Sequence, residues 1–522
     1  MSAVTKGKTI IITGTSLTIT DIVAIAMGNA MVQLDETLKK KVDASRALVD
    51  RIANEKVIYG VNTGFGPMAD HIISPSQAEE LQANLIKSHA CGFGSALDSW
   101  NVLAAMVVRL NTLAQGYSGV RWKVLEVLTA CINARVIPVV PRYGGVGASG
   151  DLIQLAHIAA GLMGLGDVFY NDKRMRACDA LAVINVAPLT LKSKEGLALI
   201  NGTSVMTGIG ALLVDRARTA FAHAMGNGAM ALELIEGYDD AIAPFIQDVR
   251  PHPGQRYVAA ELRSLVAGSK LMRTRTMVQN EVTMDHNDVK KIERPVQDVY
   301  SFRCMPQIFG PVYETIEHAA EVIEREASSV TDNPIIDMDK EIFMHGGNFH
   351  GDYISLEMDK LKIVLTRIAL TLERHINFFL NRNVNKFFPP FLNLRKGGLT
   401  LGLQGLQFVA TSTTAELQSL CFPNYIHTIP TNGDNQDIVS MGTNSALLAA
   451  QVMDGLDVVL AIELLTLAQA TDASVRVDKI SPAGRARYDA FRKVFPAIID
   501  DRDLSNELDA VVSFVRRNRH RS

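Results

Sequence analysis

Long apolar stretches with helical periodicity most constrain what this chain can fold into. They run over residues 196–236, with a polar interruption at 201–204, and over 313–328, 356–380 and 446–470. The last two have wide apolar faces, which are typical of helices buried in a large bundle. Aromatic residues make up only 6% of the chain, whereas Ala, Leu, Val, Met and Ile abound, and this composition favours helix over sheet. We therefore predict a mainly α fold, a long helical bundle with a further N-terminal layer.

The rest of the chain shows no internal repeat, no low-complexity stretch and no sharp break in composition. We predict one continuous globular unit with three regions: 1–200 as the N-terminal layer, 201–480 as the bundle and 481–522 as a helical appendix. Shorter elements are also predicted: helices at 35–53, 77–90, 101–115 and 151–165, short strands within 9–19 and 166–193, a loop at 57–70, and an exposed charged segment at 270–300.

Charge and cysteine content exclude several classes of protein. The chain has 52 Lys and Arg against 55 Asp and Glu, a net charge of −3, so nothing predicts binding to nucleic acid or to an anionic membrane surface. Its 5 cysteines are scattered without CxxC spacing, which argues against a disulfide framework or a zinc site. The N-terminus lacks a signal-peptide pattern, and no uninterrupted apolar run is long enough to cross a membrane. We expect a soluble cytoplasmic protein.

The tripeptide Ala148-Ser149-Gly150 lies in a glycine-rich turn, GGVGASGDLIQLAH (144–157), just before an apolar helical run. Gly150 has no Cβ, so its backbone nitrogen can approach another backbone group closely. In a tight bend that nitrogen could attack the Ala148 carbonyl. Loss of two waters, with departure of the Ser149 hydroxyl, would leave a ring carrying an exocyclic methylidene. Such a ring is an electrophile, which no unmodified side chain is. Asp151 stands where the helix begins, a favourable place for a carboxylate. The alternative is an ordinary turn in which Ser and Asp cap a helix.

Two further segments combine polar and aromatic side chains. Tyr59 stands at the entrance of the glycine-rich loop 57–70, which is typical of a lid, although the same loop could be a plain turn with Tyr59 as packing. Gln297, Tyr300 and Arg303 are spaced three apart, so on a helix they would share one face. Arg303 could bind a carboxylate with two hydrogen bonds, and Tyr300 could relay a proton. A solvated helix face is the alternative.

Other polar clusters are less specific. His345 and His350 stand five apart in HGGNFHG, without the HExxH pattern or a cysteine partner, so we predict no metal site. A metal-dependent hydrolase using these histidines with Asp352 is the alternative. The turn 432–437 is rich in Asn and Asp and could form a hydrogen-bonding wall or a simple Asx turn. The loop 60–66 lacks the patterns of a nucleotide-binding loop.

Seven motifs together make the chain resemble the aromatic amino acid ammonia-lyases, a family that includes histidine, phenylalanine and tyrosine ammonia-lyases and the related 2,3-aminomutases. The resemblance runs over nearly the whole length. The motifs are VIYGVNTGFG (57–66), GGVGASGDL (144–152), GLALINGTS (196–204), YSFRCMPQ (300–307), TDNPI (331–335), HGGNFHG (345–351) and NGDNQDIVSMG (432–442).

The resemblance implies a fold, a prosthetic group and an assembly. The fold is shared in outline with the fumarase and aspartase group, and its N-terminal region carries catalytic residues. The prosthetic group is 4-methylidene-imidazol-5-one, formed autocatalytically from residues 148–150, without metal or nucleotide. The assembly is a homotetramer in which each active site draws on three chains. A helical scaffold that had lost the chemistry would lack Ser149, Tyr59 or Arg303, and all three are present.

The resemblance also implies roles for individual residues. Tyr59 would be the lid base that removes the β-proton, and Arg303 would anchor the substrate carboxylate. The prosthetic ring and the substrate would be lined by the remaining candidates: Gly66, His89, Leu152, Asn201, Gln297, Tyr300, Phe349, Glu416, Asn432 and Gln436.

The substrate is predicted from a few positions. Residues 88–89 read Ser-His, and a polar partner there suits a ring hydroxyl or an imidazole rather than a bare phenyl ring. Met305 departs from the RCQPQ of histidine ammonia-lyases, whereas segments 345–363 and 408–416 look like bacterial tyrosine ammonia-lyases. We predict conversion of L-tyrosine to trans-p-coumarate and ammonia. Histidine ammonia-lyase activity and a tyrosine or phenylalanine 2,3-aminomutase are the alternatives.

Overall fold

A computed structural model describes residues 7–53, 55–281, 289, 292, 294–395 and 398–517. Helices hold 59% of the described residues and strands 8%, which confirms the prediction of a mainly α fold. The nine strands of the described residues are β1 (Thr9–Ile12), β2 (Met31–Leu34), β3 (Phe93–Ala96), β4 (Ile137–Pro138), β5 (Pro141–Tyr143), β6 (Asp167–Tyr170), β7 (Lys173–Arg176), β8 (Ile335–Asp337) and β9 (Ile342–Met344). They form small sheets: β1 pairs with β2 in parallel, and β3–β5, β4–β6–β7 and β8–β9 are antiparallel.

Helices make up most of the described chain. Those of the N-terminal part are α1 (Ile19–Ala26), α2 (Lys39–Ile52), α3 (Ala78–His89), α4 (Ser99–Ala114), α5 (Trp122–Ala134), α6 (Leu152–Leu162), α7 (Ala177–Val183), α8 (Glu195–Ile200) and α9 (Ser204–Leu234). The later ones are α10 (Pro244–Asp248), α11 (Pro253–Leu265), α12 (Arg275–Glu281), α13 (Tyr300–Arg303), α14 (Met305–Ala327), α15 (Asp352–Leu380), α16 (Arg382–Asn385), α17 (Gln404–Leu420), α18 (Gly442–Ser474), α19 (Pro482–Arg492) and α20 (Ser505–Arg517). Short 3₁₀ turns occur at Glu36–Leu38, Gly66–Met68, Pro75–Gln77, Asp239–Ile242 and Pro390–Leu392.

The predicted long helices are present, and most are longer than predicted. The stretch 196–236 is divided into α8 and α9, and the break falls at residues 201–203, where the polar interruption lies in the sequence. Helices α14, α15 and α18 extend beyond the predicted 313–328, 356–380 and 446–470. The prediction of an exposed segment at 270–300 falls in part on 282–288, 290, 291 and 293, which lie outside the described residues.

The chain divides into two compact units. The first comprises residues 1–215, 319–359 and 423–449, and the second comprises 216–318, 360–422 and 450–522. Helices α9, α14, α15 and α18 contribute residues to both. In the first unit α4 is buried from Val102 to Ala114, including the polar residues Arg109 and Asn111. The predicted division at residues 200 and 480 stays a prediction.

Within the described part of the chain, α18 is the one helix long and apolar enough to cross a membrane by length and composition. However, 67% of its most apolar 18-residue stretch is buried inside the protein. The helix also carries Glu463 and Gln469, both fully buried. Buried polar groups of this kind are satisfied by neighbouring protein rather than by lipid, so α18 has the character of a core helix.

Candidate active site

The turn that holds Ala148, Ser149 and Gly150 is folded tightly upon itself. Gly150 forms backbone bridges with Gly147, with Ala148 and with Gly202. Its φ is +74°, in the left-handed region, and a Cβ built there would lie 2.0 Å from the Gly202 carbonyl oxygen. Only glycine fits this position, because any side chain would collide with backbone that has no rotamer to change.

Gly202 is the partner that braces this turn. Its carbonyl accepts a hydrogen bond from the Asp151 N–H at 2.8 Å, and its own N–H donates to the Ser149 carbonyl at 3.2 Å. Gly202 lies in the break between α8 and α9, so the interruption of the long helix is the piece of backbone that meets the turn. The sequence marked this break, but nothing in it pointed to residues 148–151 as its partner.

Asp151 caps a different helix from the one expected. It is the residue before α6, but its side chain makes no capping bond there. Instead its Oδ2 accepts from the N–H groups of Val205 at 2.7 Å and Met206 at 3.0 Å, in the first turn of α9, and its Oδ1 accepts from the Thr443 hydroxyl. Burial raises the pKa of Asp151 to about 6, although these hydrogen bonds act in the opposite direction. Asp151 thus stands where α6 begins, as predicted, but a free helix N-terminus next to it in space takes the carboxylate.

The Ser149 hydroxyl is half-buried and has a polar neighbour from a distant loop. Gln436 donates from Nε2 to Ser149 Oγ at 3.2 Å, and Gln436 Oε1 in turn accepts from the Thr431 hydroxyl at 3.1 Å. On the other side of the turn, Ala148 packs in an apolar cluster with Val146, Val439 and Met441. The turn is thus held on an apolar support while its hydroxyl faces an amide.

Tyr59, Gly66 and Asn432, three of the candidate site residues, come together in the first unit. The Gly66 N–H donates to Tyr59 Oη at 3.2 Å. A Cβ on Gly66 would lie 2.4 Å from Asn432 Nδ2, so the Asn432 amide lies directly against this glycine. The ring of Tyr59 also meets that of Phe65 edge-on, with centroids 6.4 Å apart. The loop 57–70 therefore has defined contacts with the polar turn 432–437.

The other candidates of the first unit differ in burial. His89 is the last residue of α3 and is half-buried, with Nδ1 3.0 Å from the Leu85 carbonyl oxygen. Leu152 begins α6, and Phe349 is half-buried just before α15. Asn201 is buried, and its Oδ1 has no hydrogen-bond partner among the described residues. An orphaned buried acceptor of this kind marks a place where a ligand group can bind.

Gln297, Tyr300 and Arg303 line one cavity of about 410 Å³ in the second unit. The prediction that one helix carries all three residues is wrong in one respect: α13 spans only Tyr300–Arg303, and Gln297 precedes it. The guanidinium carbon of Arg303 lies 4.9 Å from the centre of the Tyr300 ring. Its buried Nε has no acceptor in the described chain. A guanidinium with an unused N–H at a cavity is suited to an incoming carboxylate. Glu416, the remaining candidate of this unit, is exposed on α17.

No group of three or more His, Cys, Asp or Glu side chains that could hold a metal ion occurs among the residues the structure describes. His350 Nδ1 lies 3.5 Å from Asp352 Oδ1, whereas the His345 ring is next to Tyr59, with centroids 6.4 Å apart. This pair alone gives too few ligands for the four-coordinate site of a zinc hydrolase.

Sequence reasoning missed a buried arginine near the turn. Arg109 on α4 donates from Nε to the Ala198 carbonyl at 2.9 Å and from Nη1 to the Thr331 carbonyl at 3.1 Å. A Cβ on Gly202 would lie 2.3 Å from Arg109 Nη1, so the guanidinium lies directly against the bracing glycine. Burial lowers the pKa of Arg109 to about 10. The sequence signal that could have revealed this residue is an arginine within the apolar predicted helix 101–115.

Known proteins are similar to this chain along almost all of its length. The family model described as aromatic amino acid lyase matches residues 17–493. A histidine ammonia-lyase of Caldanaerobacter subterraneus subsp. tengcongensis is 40% identical over 98% of this chain and 97% of its own length. A tyrosine ammonia-lyase of Cupriavidus metallidurans is 38% identical over 97% and 96%.

A third similar protein is known by sequence and by structure. The MIO-dependent tyrosine 2,3-aminomutase of Streptomyces globisporus is 38% identical over 97% of this chain and 94% of its own length. A crystal structure of tyrosine aminomutase from that organism matches with a TM-score of 0.94 at 37% identity, covering 97% of each chain. Relatives with three different activities are therefore almost equally similar in sequence.

Proposed function

We propose, since the chain belongs to the aromatic amino acid lyase family and is an enzyme of the ammonia-lyase and aminomutase type, that it converts L-tyrosine to trans-p-coumarate and ammonia. The observation that carries the lyase chemistry is the turn at residues 148–150, whereas the choice of tyrosine rests on Met305. Gly150 is pressed against Gly202 and bridged to Ala148, while the Ser149 hydroxyl stands free of the apolar support.

Residues 148–150 would form the 4-methylidene-imidazol-5-one group, with no metal or nucleotide. The described residues fit that group, because Gly150 is folded back against Ala148, whose carbonyl its nitrogen must attack, and its close approach to Gly202 leaves no room for a Cβ. When present, the group supplies an electrophile that takes up the substrate's amino group and makes ammonia a better leaving group. Asn201, whose buried Oδ1 has no partner among the described residues, directly precedes Gly202, and the Gly202 N–H donates to the Ser149 carbonyl.

Tyr59 would remove the β-proton of the substrate. The Gly66 N–H that donates to Tyr59 Oη supports this role, because an amide dipole aimed at the phenol oxygen stabilises negative charge there. Arg303 would bind the substrate carboxylate, with Gln297 and Tyr300 beside it. The other lining roles are proposed for Gly66, Leu152, Phe349, Glu416, Asn432 and Gln436.

His89 would read the substrate's ring. Its Nδ1 lies at the Leu85 carbonyl, which can only accept, so in a neutral imidazole the proton is on Nδ1 and Nε2 is the acceptor. An acceptor suits the phenol O–H of tyrosine, and it gives nothing to an unsubstituted phenyl ring. The imidazole N–H of histidine would satisfy it too, so the departure at Met305 is what favours tyrosine.

We also propose a homotetramer in the cytoplasm. In the first unit Ile426, Ile429 and Ile438 are each more than 60% exposed within a short stretch. Apolar surface of this extent supports burial against another copy of the chain.

The substrate is tested by incubating the purified protein separately with L-tyrosine, L-histidine and L-phenylalanine and identifying the products by chromatography. We expect p-coumarate from tyrosine to be the fastest product. Urocanate as the main product would establish the histidine alternative instead. Accumulation of a β-amino acid would establish an aminomutase, because cinnamate-type acids and β-amino acids separate readily.

Replacing His89 with phenylalanine should shift preference from tyrosine toward phenylalanine. Losing the acceptor for the phenol O–H should change the ratio of the two kcat/KM values by at least about tenfold. Steady-state kinetics with both amino acids measures this ratio. Asn84→Ala is the control, because Asn84 is an exposed polar residue of the same helix. An unchanged ratio in His89→Phe would exclude His89 as the ring-recognition residue.

A further inference from the structure

The helix that carries Tyr300 and Arg303 is too short to hold its own position. Helix α13 has four residues, and an isolated helix of one turn is not stable in water. Cys304 alone separates it from α14, so the join to α14 and the contacts of its buried side together set its orientation. Tyr300 and Arg303 line the cavity, whereas Phe302 is buried.

His375 on α15 makes those contacts. Its Nε2 lies 2.8 Å from the Ser301 carbonyl oxygen, and its ring stacks on Phe302 with centroids 4.4 Å apart and planes 7° from parallel. Both Phe302 and His375 are buried. One side chain thus holds the backbone of α13 by a hydrogen bond and its buried ring by stacking.

Glu463 on α18 holds the other ring nitrogen of that histidine. Its Oε1 lies 2.7 Å from His375 Nδ1, and both side chains are fully buried. A carbonyl oxygen only accepts, so His375 Nε2 carries a proton, and one further proton must lie between Nδ1 and Oε1. The ring is therefore held from both nitrogens at once, which fixes its orientation as well as its place.

The network continues away from the cavity. Glu463 Oε2 accepts from Asn227 Nδ2 at 2.8 Å, and Asn227 Oδ1 accepts from Arg487 Nε at 3.0 Å. At the far end Arg487 Nη2 lies 3.1 Å from Nδ1 of the buried His223. Because both carboxylate oxygens of Glu463 have hydrogen-bond partners, its side chain is held in one position.

We propose that His375 and Glu463 are positioning residues that set α13 so that Arg303 meets the substrate carboxylate. This inference rests on the proposed function, in which Arg303 binds that carboxylate. Displacement of a binding group by even 1 Å weakens what it binds, so loss of the support should appear at the carboxylate and not at the substrate's ring.

The test compares two ligands that share a ring and differ in the carboxylate. In His375→Phe, which keeps an aromatic ring against Phe302 but loses both hydrogen bonds, we expect binding of p-coumarate to weaken about tenfold and binding of p-cresol to change less than about twofold. Calorimetry on the full-length protein measures both affinities without turnover. For a wild-type enzyme that acts on histidine, urocanate and 4-methylimidazole are the corresponding pair. We also expect KM for the amino acid to rise more than kcat falls.

Two further variants guard against a merely structural effect. His223→Phe makes the same change at the other end of the network and should lower thermal stability without changing the ratio of the two affinities. His375→Phe/Glu463→Leu removes both members of the buried pair, which restores folding if the single variant leaves a buried carboxylate unpaired, and should keep the altered ratio. An unchanged ratio in a folded variant would overturn this inference alone. A wild-type protein that turns over none of the three amino acids would instead overturn the proposed function.

Discussion

Ser149→Ala should abolish turnover and leave the fold intact. Without the Ser149 hydroxyl no methylidene can form, so the enzyme loses its electrophile and the amine must leave unaided. We expect kcat to fall by at least about a thousandfold, since covalent activation of the leaving group is the step that divides one high barrier into lower ones. Among the residues that the structure describes, one hydrogen bond, from Gln436, is lost with the hydroxyl. The expected cost in the free energy of unfolding is therefore about 1 kcal/mol.

Intact mass and activity together test this expectation. The wild-type chain should weigh two waters less than its sequence, whereas Ser149→Ala cannot lose the water that comes from the hydroxyl and should be at most one water short of its encoded mass. Ser264→Ala, an exposed serine on α11, is the matched control and should keep both the deficit and the activity. Turnover at the wild-type rate in Ser149→Ala would refute the proposed chemistry.

The sequence predicted the helices well because their signal is local. Apolar residues recurring at helical spacing determine that α15 and α18 form, whatever they pack against. Their ends were harder to predict: α14 begins at Met305, eight residues before the predicted start, because the apolar periodicity weakens there while tertiary contacts continue. Helix α13 shows the limit most clearly, since one turn of helix has no periodicity of its own.

The candidate site was predicted as a set of residues but not as a set of contacts. Motifs located Ser149, Asn201 and Gln436, yet the bond between Ser149 and Gln436 spans 287 positions of the chain, and Asn201 is brought near only because its neighbour Gly202 donates to the Ser149 carbonyl. No local rule gives such pairs. The capping of α9 by Asp151 is an example, since the nearest helix in sequence is α6. The role of Gly202 as a brace is another, because a glycine between two helices is also what a simple break would show.

Gly150→Ala should prevent formation of the prosthetic group even though the serine and the attacking nitrogen both remain. The new Cβ would lie 2.0 Å from the Gly202 carbonyl oxygen and 2.2 Å from its carbonyl carbon, and backbone on both sides leaves no rotamer that relieves the collision. The turn must open, which separates the Gly150 nitrogen from the Ala148 carbonyl. We expect an intact mass without the two-water deficit and a fall in kcat of at least about a thousandfold.

The matched control for this collision is Gly166→Ala. Gly166 has nearly the same backbone conformation, with φ +71° against +74°, but a Cβ there meets no atom within 4 Å. Both variants therefore bear the cost of a left-handed alanine, about 1 kcal/mol in the free energy of unfolding, and only Gly150→Ala bears the collision. Urea unfolding, intact mass and kinetics on the two proteins separate these effects. If Gly150→Ala kept the two-water deficit, the ring would close without the tight contact between Gly150 and Gly202. The tightly folded turn at residues 147–150 would then have no part in forming the electrophile.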